Sequence, residues 1–215
     1  NQIVDANGDP ATWHNGALKR DAVPYWATID WADITKSNYI HNSNRHIYTY
    51  LKNMAPFEST NEDLTATILG NPTKSIADII NYVRGADVLD EDKDNDVTEN
   101  RSIITGDILH SEPSIFQYKY ADGTSNTMVF FGANDGMLHA VLDVTESSGV
   151  HPAVTSHGTE EWAFIPPSQL PRLKEIIEGI GHQIYVDATP KIYFKDIDGD
   201  GIVDSGDGDK VILVC

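Results

Sequence analysis

The run SIFQYKYADGTSNTMVFFGANDGMLHAVLDV, residues 114–144, constrains the fold more than any other part of this chain. It holds three apolar or aromatic stretches of strand length, separated by Asp122-Gly123 and Asp135-Gly136. Such dipeptides accept the positive φ angles that tight hairpin turns demand. Further short apolar runs follow in EEWAFIPP, HQIYVDATP, KIYFKD and KVILVC, and an earlier one is NRHIYTYL, Asn44–Leu51. Short strands broken by frequent turns predict a mainly β chain: a sandwich, a barrel or a propeller. Two segments read as short helices inserted into or preceding this β scaffold. In TKSIADIINYVRG, Thr73 is the expected N-cap, Ile76, Ile79, Ile80 and Val83 form the apolar stripe, and Gly85 is the stop. SQLPRLKEIIEGIG is the second, ending near Gly179 or Gly181, and Asn61–Leu69 is a further short helical candidate. APFESTNEDL reads as a loop.

The stretch between the last two strand-like runs, DIDGDGIVDSGDGD, carries five aspartates from Asp196 to Asp207. Carboxylates crowded this closely repel, so the loop is either open and wet or neutralised by a cation. The spacing fits a calcium loop. Asp196, Asp198 and Asp200 fall at positions 1, 3 and 5, and Gly201 at the bend. Ile202 falls at position 7, where the backbone carbonyl is the ligand, with Asp204 and Asp207 at positions 9 and 12. A hard cation takes six to eight oxygens, and alternating side chains around a glycine bend allow one short segment to supply them. Asp207 is one methylene shorter than the usual glutamate, and the flanks read as strands. The expectation is therefore a clasped loop and not a helix–loop–helix sensor. Asp90, Asp92 and Asp94 repeat the first three positions. There position 6 is Asn95, position 9 is Thr98 and position 12 is Arg101, so an acidic linker is the competing reading of 87–100.

The 215 residues carry a net charge of −18. That balance argues against nucleic acid as a partner, since phosphate contact wants a basic face, and suits divalent cations. No run of 18 apolar residues exists to span a membrane. Cys215 is the lone cysteine, so no disulfide forms within the chain. A reducing compartment and a secreted, calcium-stabilised protein both accommodate this. The start at Asn1 and the apolar end suggest a piece of a larger polypeptide. There is no HExxH, GxSxG, phosphate-cradling loop or dinucleotide fingerprint. The eight histidines, His41, His46, His110 and His139 among them, read as structural, and Trp13, Trp26, Trp31 and Trp162 as packing residues before a sugar platform.

Several of these segments resemble one family. GDILHSEP, Gly106–Pro113, is similar to the blade-opening motif of the PilC/PilY type IV pilus biogenesis factors and tip adhesins. VFFGANDGMLHAVLD, Val129–Asp143, resembles that family's quinoprotein-like propeller blade. EEWAFIPPSQLPRL, Glu160–Leu173, resembles the next blade with its helix, and NYVRG, Asn81–Gly85, the segment just upstream. The resemblance covers roughly residues 45–215. It implies a partial β-propeller, with residues 1–100 a loop-rich and helical lead-in and 101–215 the first blades. It also implies a calcium loop at Asp196, Asp198, Asp200, Ile202 and Asp204, while Asp207 comes from the template alone. The implied function is non-catalytic: pilus biogenesis, retraction control and surface attachment by an exported protein at the pilus tip, the outer-membrane surface or outside the cell. Implied partners are minor pilins or the pilus tip, a host or abiotic surface, and the rest of the same polypeptide or another chain to complete the propeller. Two other readings stay open at this point: a quinoprotein-like dehydrogenase fragment, and a calcium-dependent carbohydrate-binding or scaffold module.

Overall fold

The computed structural model describes residues 45–91, 93–97, 99–101, 104–120, 125–144, 159–203 and 206–215. The expectations on Trp13, Trp26, Trp31, His41 and the Asp122-Gly123 turn lie outside them. Among the described residues eight strands are present: β1 Ile47–Tyr50, β2 Met54–Pro56, β3 Ser114–Lys119, β4 Ser125–Gly132, β5 Leu138–Val144, β6 Thr159–Ile165, β7 Lys191–Lys195 and β8 Lys210–Val214. Two helices accompany them, α1 Ile76–Arg84 and α2 Lys174–Ile177, the second preceded by a 3-10 turn at Leu170–Arg172. The fold is mainly β, as the turn spacing predicts. Six strands form one mixed sheet in the order β2-β1-β6-β5-β4-β3, and β7 and β8 form a separate hairpin. Strands β3 to β6 are an antiparallel meander with a register shift at Ala140/Val141, and β1 adds alongside β6 in parallel. No closed barrel forms among the described residues.

Two apolar layers cover this sheet. Ile47, Ala163, Ile165 and Met137 pack with Phe57, Leu64, Leu69 and the α1 face Ile79, Ile80 and Val83. This core joins residues from both sides of position 100. Elsewhere Met128, Phe130 and Ala140 are covered by Phe116, Trp162, Ile192 and Leu213, so the inner face of the β7–β8 hairpin rests on the sheet. Trp162 lies 5.9 Å from Phe130, ring centre to ring centre, as a packing residue.

Local structure departs from the sequence expectations in four places. The cap of α1 is Ser75, whose Oγ accepts the Asp78 amide at 3.0 Å. Thr73 donates instead through both its amide and its hydroxyl to Glu178, tying the approach to α1 to the end of α2. Gly85 closes α1 as expected, at φ 113°. Residues 61–69 form turns rather than a helix, since the Asn61 carboxamide takes the Asp63 amide and competes with the helical ladder. Met54–Pro56 pairs with β1, so the expected loop begins only after it. HQIYVDATP forms no strand. Side chains bond its backbone instead: Tyr185 N–H donates to Asn134 Oδ1, and Ser111 Oγ donates to the Ala188 carbonyl.

A buried chain of charges ties these parts together. Arg45, just before β1, donates through Nε and Nη2 to both oxygens of Glu160 on β6, at 2.7 and 2.9 Å. His139 on β5 joins Glu160 Oε1 through Nδ1 at 2.7 Å and Asp135 through Nε2 at 3.0 Å. The side chains of Arg45, His139 and Glu160 are 1%, 1% and 2% exposed. Asp135 also accepts the Gly106 and Met137 amides, and Arg45 reaches the Val83 and Arg84 carbonyls at the end of α1. The charges alternate and cancel. Burial alone would push the His139 imidazole down, but Asp135 and Glu160 outweigh it and raise its pKa to about 9. Burial likewise opposes ionisation of Glu160, and Arg45 and His139 overcome it, holding the carboxyl far below its ordinary range.

Two predictions follow from this network. Glu160→Ala strands both Arg45 and His139 and should lower unfolding free energy by about 3–5 kcal/mol in chemical denaturation. For pH, the raised His139 pKa means its contribution is complete below about pH 6.5 and is lost as pH rises through about 9, on the order of 3 kcal/mol. The lowered carboxylates act oppositely, stabilising above about pH 4.5 and failing in acid. Stability measured against pH should therefore peak between about 4.5 and 6.5, and a flat profile from 6.5 to 9 would contradict the charged-histidine assignment.

Candidate metal centre

The acidic loop joins β7 to β8, and its shape follows from aspartates accepting backbone amides two to five residues ahead. Asp196 takes the Gly199 amide on Oδ1 at 2.7 Å and the Gly201 amide on Oδ2 at 2.9 Å. Asp198 takes the Asp200 amide at 3.3 Å, and Asp200 the Ile202 amide at 2.7 Å. These bonds curl the chain round the carboxylates, which requires left-handed backbone at Gly199 and Gly201, φ 80° and 75°. A β-carbon is disfavoured there, so the glycine at the bend is a conformational need.

Asp196, Asp198 and Asp200 each bring an oxygen within 4.8 Å of the others, the only such acidic, His or Cys grouping among the described residues. Hard oxygen donors converging on a solvent-facing point suit calcium or magnesium better than softer metals. The donor set thus fits the cation that the spacing suggests. Ile202 stands in the loop, its amide donated to Asp200. Asp207 is exposed in the turn before β8, outside the converging three, yet its charge reaches Asp198. Asp204 lies outside the described residues. The three carboxyls are not equivalent. The Gly201 and Gly199 amides hold Asp196 below the ordinary aspartate range. Asp198 accepts the Asp200 amide, which lowers it, but desolvation and the charges of Asp200, Asp207 and Asp196 together raise its pKa.

Sequence reasoning overlooked two supports of this loop. Asp209 Oδ1 accepts the Ile197 amide at 2.9 Å and closes the loop's base, and Val203 N–H donates to the Lys119 carbonyl on β3 at 3.1 Å. The Asp209 contact was legible as an acceptor placed next to a strand start. The Val203 contact is between backbones, which leaves no side-chain signal. In the second acidic stretch, Asp90 Oδ1 takes the Asn95 amide and Asp94 Oδ1 the Asp96 amide, at 3.0 and 2.7 Å. Asp92 and Thr98 lie outside the described residues, and the described carboxylates there do not converge.

Comparison with known proteins accords with the motifs. The PilY1 type IV pilus biogenesis factor of Pseudomonas aeruginosa UCBPP-PA14 is 24% identical over 214 residues, covering 87% of this chain and 16% of the relative. The PilY1 homolog of Xylella fastidiosa Temecula1 is 32% identical over 155 residues, 60% of this chain and 11% of the relative. The PilY1 of P. aeruginosa PAK is 29% identical over 140 residues, 54% and 11% respectively. The chain is thus similar, over part of its length, to PilY1 pilus biogenesis factors. It spans between 11% and 16% of the length of these relatives. No protein-family model and no solved structure matches it.

The motifs shared in texture with PilY proteins have distinct structural duties here. Gly106–Pro113 runs beside 182–190, where His110 N–H and Nδ1 meet Asp187 and His182 meets Asp107. Gly106 packs so closely on Asn134 and Asp135 that a β-carbon would sit 2.2 Å from the Asp135 nitrogen. Val129–Asp143 is β4, its Asn-Asp-Gly turn and β5, and Glu160–Leu173 is β6 with the 3-10 turn. None of the described histidines joins the aspartate group. No described helix is long and apolar enough to cross a membrane.

The inequality among the three carboxyls is measurable. In metal-free protein, carboxyl-carbon NMR titration should give Asp196 a midpoint below ordinary aspartate and Asp198 one above it. Coincident midpoints would rule out the amide-bonded loop.

Proposed function

We infer that this chain is a calcium-clasped, non-catalytic part of a type IV pilus biogenesis factor. The observation that carries the reading is the Asp196–Asp198–Asp200 grouping in a chain whose relatives are named for pilus biogenesis. When bound, Ca²⁺ would supply the positive charge that lets three crowded carboxylates remain ionised together, with the Ile202 carbonyl, Asp204 and Asp207 as further oxygen donors. The chain's own residues do the rest: Asp196 fixes the bend, Asp209 shuts the base, and the paired strands β7 and β8 hold both ends of the loop.

The meander β3–β6 has the four antiparallel strands of a propeller blade, and β7–β8 begins a second blade stacked on its face. Residues 101–215 then carry the blade strands, and the lead-in 1–100 contributes β1 and β2 to the first blade's sheet. The outer face of β7–β8 leaves Tyr193, Ile212 and Val214 exposed, as expected where more of the polypeptide, or another chain, packs on. An exported factor of this kind works at the pilus tip or outer surface, engaging minor pilins and a host or abiotic surface, and supports assembly, retraction control and attachment. Calcium there is near the affinity range of extracellular loops, about 10⁻⁴–10⁻³ M, so occupancy responds to the surroundings.

Calorimetric titration of the full-length protein should show a calcium site in that range, and Asp198→Ala or Asp200→Ala should weaken it at least tenfold. Cells carrying either variant as their sole copy should show altered surface piliation by electron microscopy. Unchanged calcium heat would refute the site, and normal piliation with the site destroyed would refute its role.

A further inference from the structure

The loop is not an isolated clasp. It is fastened to the edge strand of the six-stranded sheet. β3 ends that sheet, and the chain from Pro190 through the loop to Val203 touches it along its length. At the start of β3, Ser114 Oγ donates to the Pro190 carbonyl. In its middle Phe116 meets Phe194 of β7 edge to face, ring centres 5.5 Å apart. At its end the Lys119 carbonyl accepts the Val203 amide at 3.1 Å.

This last bond involves the peptide unit that the calcium reading needs. Ile202 C=O and Val203 N–H belong to one peptide plane, and that peptide is trans, like every described peptide bond. In a trans unit the two groups point in opposite directions. Anchoring Val203 N–H on β3 therefore turns the Ile202 carbonyl away from β3 and fixes its orientation. A hydrogen bond at the N–H also polarises the carbonyl of the same unit and makes its oxygen a better donor to a cation.

We propose that the Lys119 carbonyl, acting through the Val203 amide, positions the Ile202 carbonyl as a cation ligand and so couples ion occupancy to the edge strand β3. The proposal rests on the calcium reading given above. Lys119 touches no ion and acts as a positioning residue, of the kind that orients ligands from outside the coordination sphere. The coupling is reciprocal: whatever factor the β3 contact adds to cation affinity, the cation adds to the β3 contact. Occupancy of an exposed loop is thereby felt at the border of the main sheet, where the backbone is open to pairing with another strand.

The test uses calcium alone as the probe, on the full-length protein. Val203→Pro deletes the amide hydrogen, whereas Val203→Ala keeps it. A third variant replaces Tyr120 with its α-hydroxy acid. It converts the Lys119 carbonyl to a weaker-accepting ester and leaves residues 196–207 untouched. Calorimetry should show calcium affinity reduced 10- to 100-fold in Val203→Pro, several-fold in the ester variant, and unchanged in Val203→Ala. Hydrogen exchange of residues 114–120 should slow on adding calcium to the wild type, and not in Val203→Pro. Wild-type affinity in Val203→Pro and the ester, with β3 exchange indifferent to calcium, overturns the coupling while leaving the site intact. Loss in Val203→Pro alone, without the ester effect or the exchange change, assigns the loss to proline's backbone restriction and also overturns it. Absence of calcium heat in the wild type overturns the site, and the coupling with it.

Discussion

The structure depends on the buried alternation Arg45–Glu160–His139–Asp135. An unpaired charge in such surroundings costs several kcal/mol, so each member is tolerable only because its neighbour is present. The arrangement is bidentate at one end and divided between two carboxylates at the other, which leaves little geometric freedom. Its reach explains its importance. It spans the entry to β1, the β4–β5 turn, β5 and β6, and through Arg45 it satisfies carbonyls at the end of α1 that no helical amide can reach. Arg84 returns from that helix end to the Phe57 and Arg45 carbonyls. A positive side chain at a helix C-terminus is also favoured by the helix dipole. The parallel addition of β1 to an antiparallel meander, an uncommon border in a small sheet, is thus fixed by ionic contacts as well as by the ladder.

From this keystone, order passes outward by side-chain-to-backbone bonds. Asp135 takes the Gly106 amide and so begins the segment 106–113. That segment is stitched to 182–190 by Ser111, Thr189 and two reciprocal His–Asp pairs, His110–Asp187 and His182–Asp107. Residue 190 delivers the chain into β7 and the acidic loop. The exposed His–Asp pairs are individually weak, but the stitch fixes where the hairpin begins, and Phe116, Ile192 and Leu213 fix which face it buries.

The sequence declared the strands and hairpins plainly where alternation and Asp-Gly turns coincided, as in β4, β5 and β7. It also declared that Asp196, Asp198 and Asp200 share one curled loop, because those contacts are local and their spacing is fixed by backbone geometry. What stayed hidden was held together by distant partners. Glu160 reads as an ordinary charged residue beside Glu161, and nothing in its neighbourhood announces Arg45, 115 positions away. His139 reads as a structural histidine, which it is, yet its two carboxylate partners come from a turn and another strand. HQIYVDATP carries strand composition and is not a strand, since its backbone partners are side chains of other loops. The helical periodicity of 61–69 gives way to an asparagine that bonds its own backbone.

The two charge clusters of this chain obey one rule with different outcomes. In the interior, water cannot screen, so the chain supplies its own counter-charges in alternation and the set comes to neutrality without help. In the β7–β8 loop, three carboxylates converge, and the donors to them are backbone amides. Backbone amides of Gly199, Gly201, Asp200 and Ile202 turn toward the oxygens and offset part of the repulsion. Amides bring only partial charge, and the raised Asp198 pKa marks what they leave uncompensated. An interior network that closes on itself serves as a permanent fastening. A surface loop preorganised by amides yet left anionic keeps uncompensated charge that the proposed cation would complete. The two clusters thus differ in where their counter-charge comes from: the fold itself in the sheet, the surroundings in the hairpin.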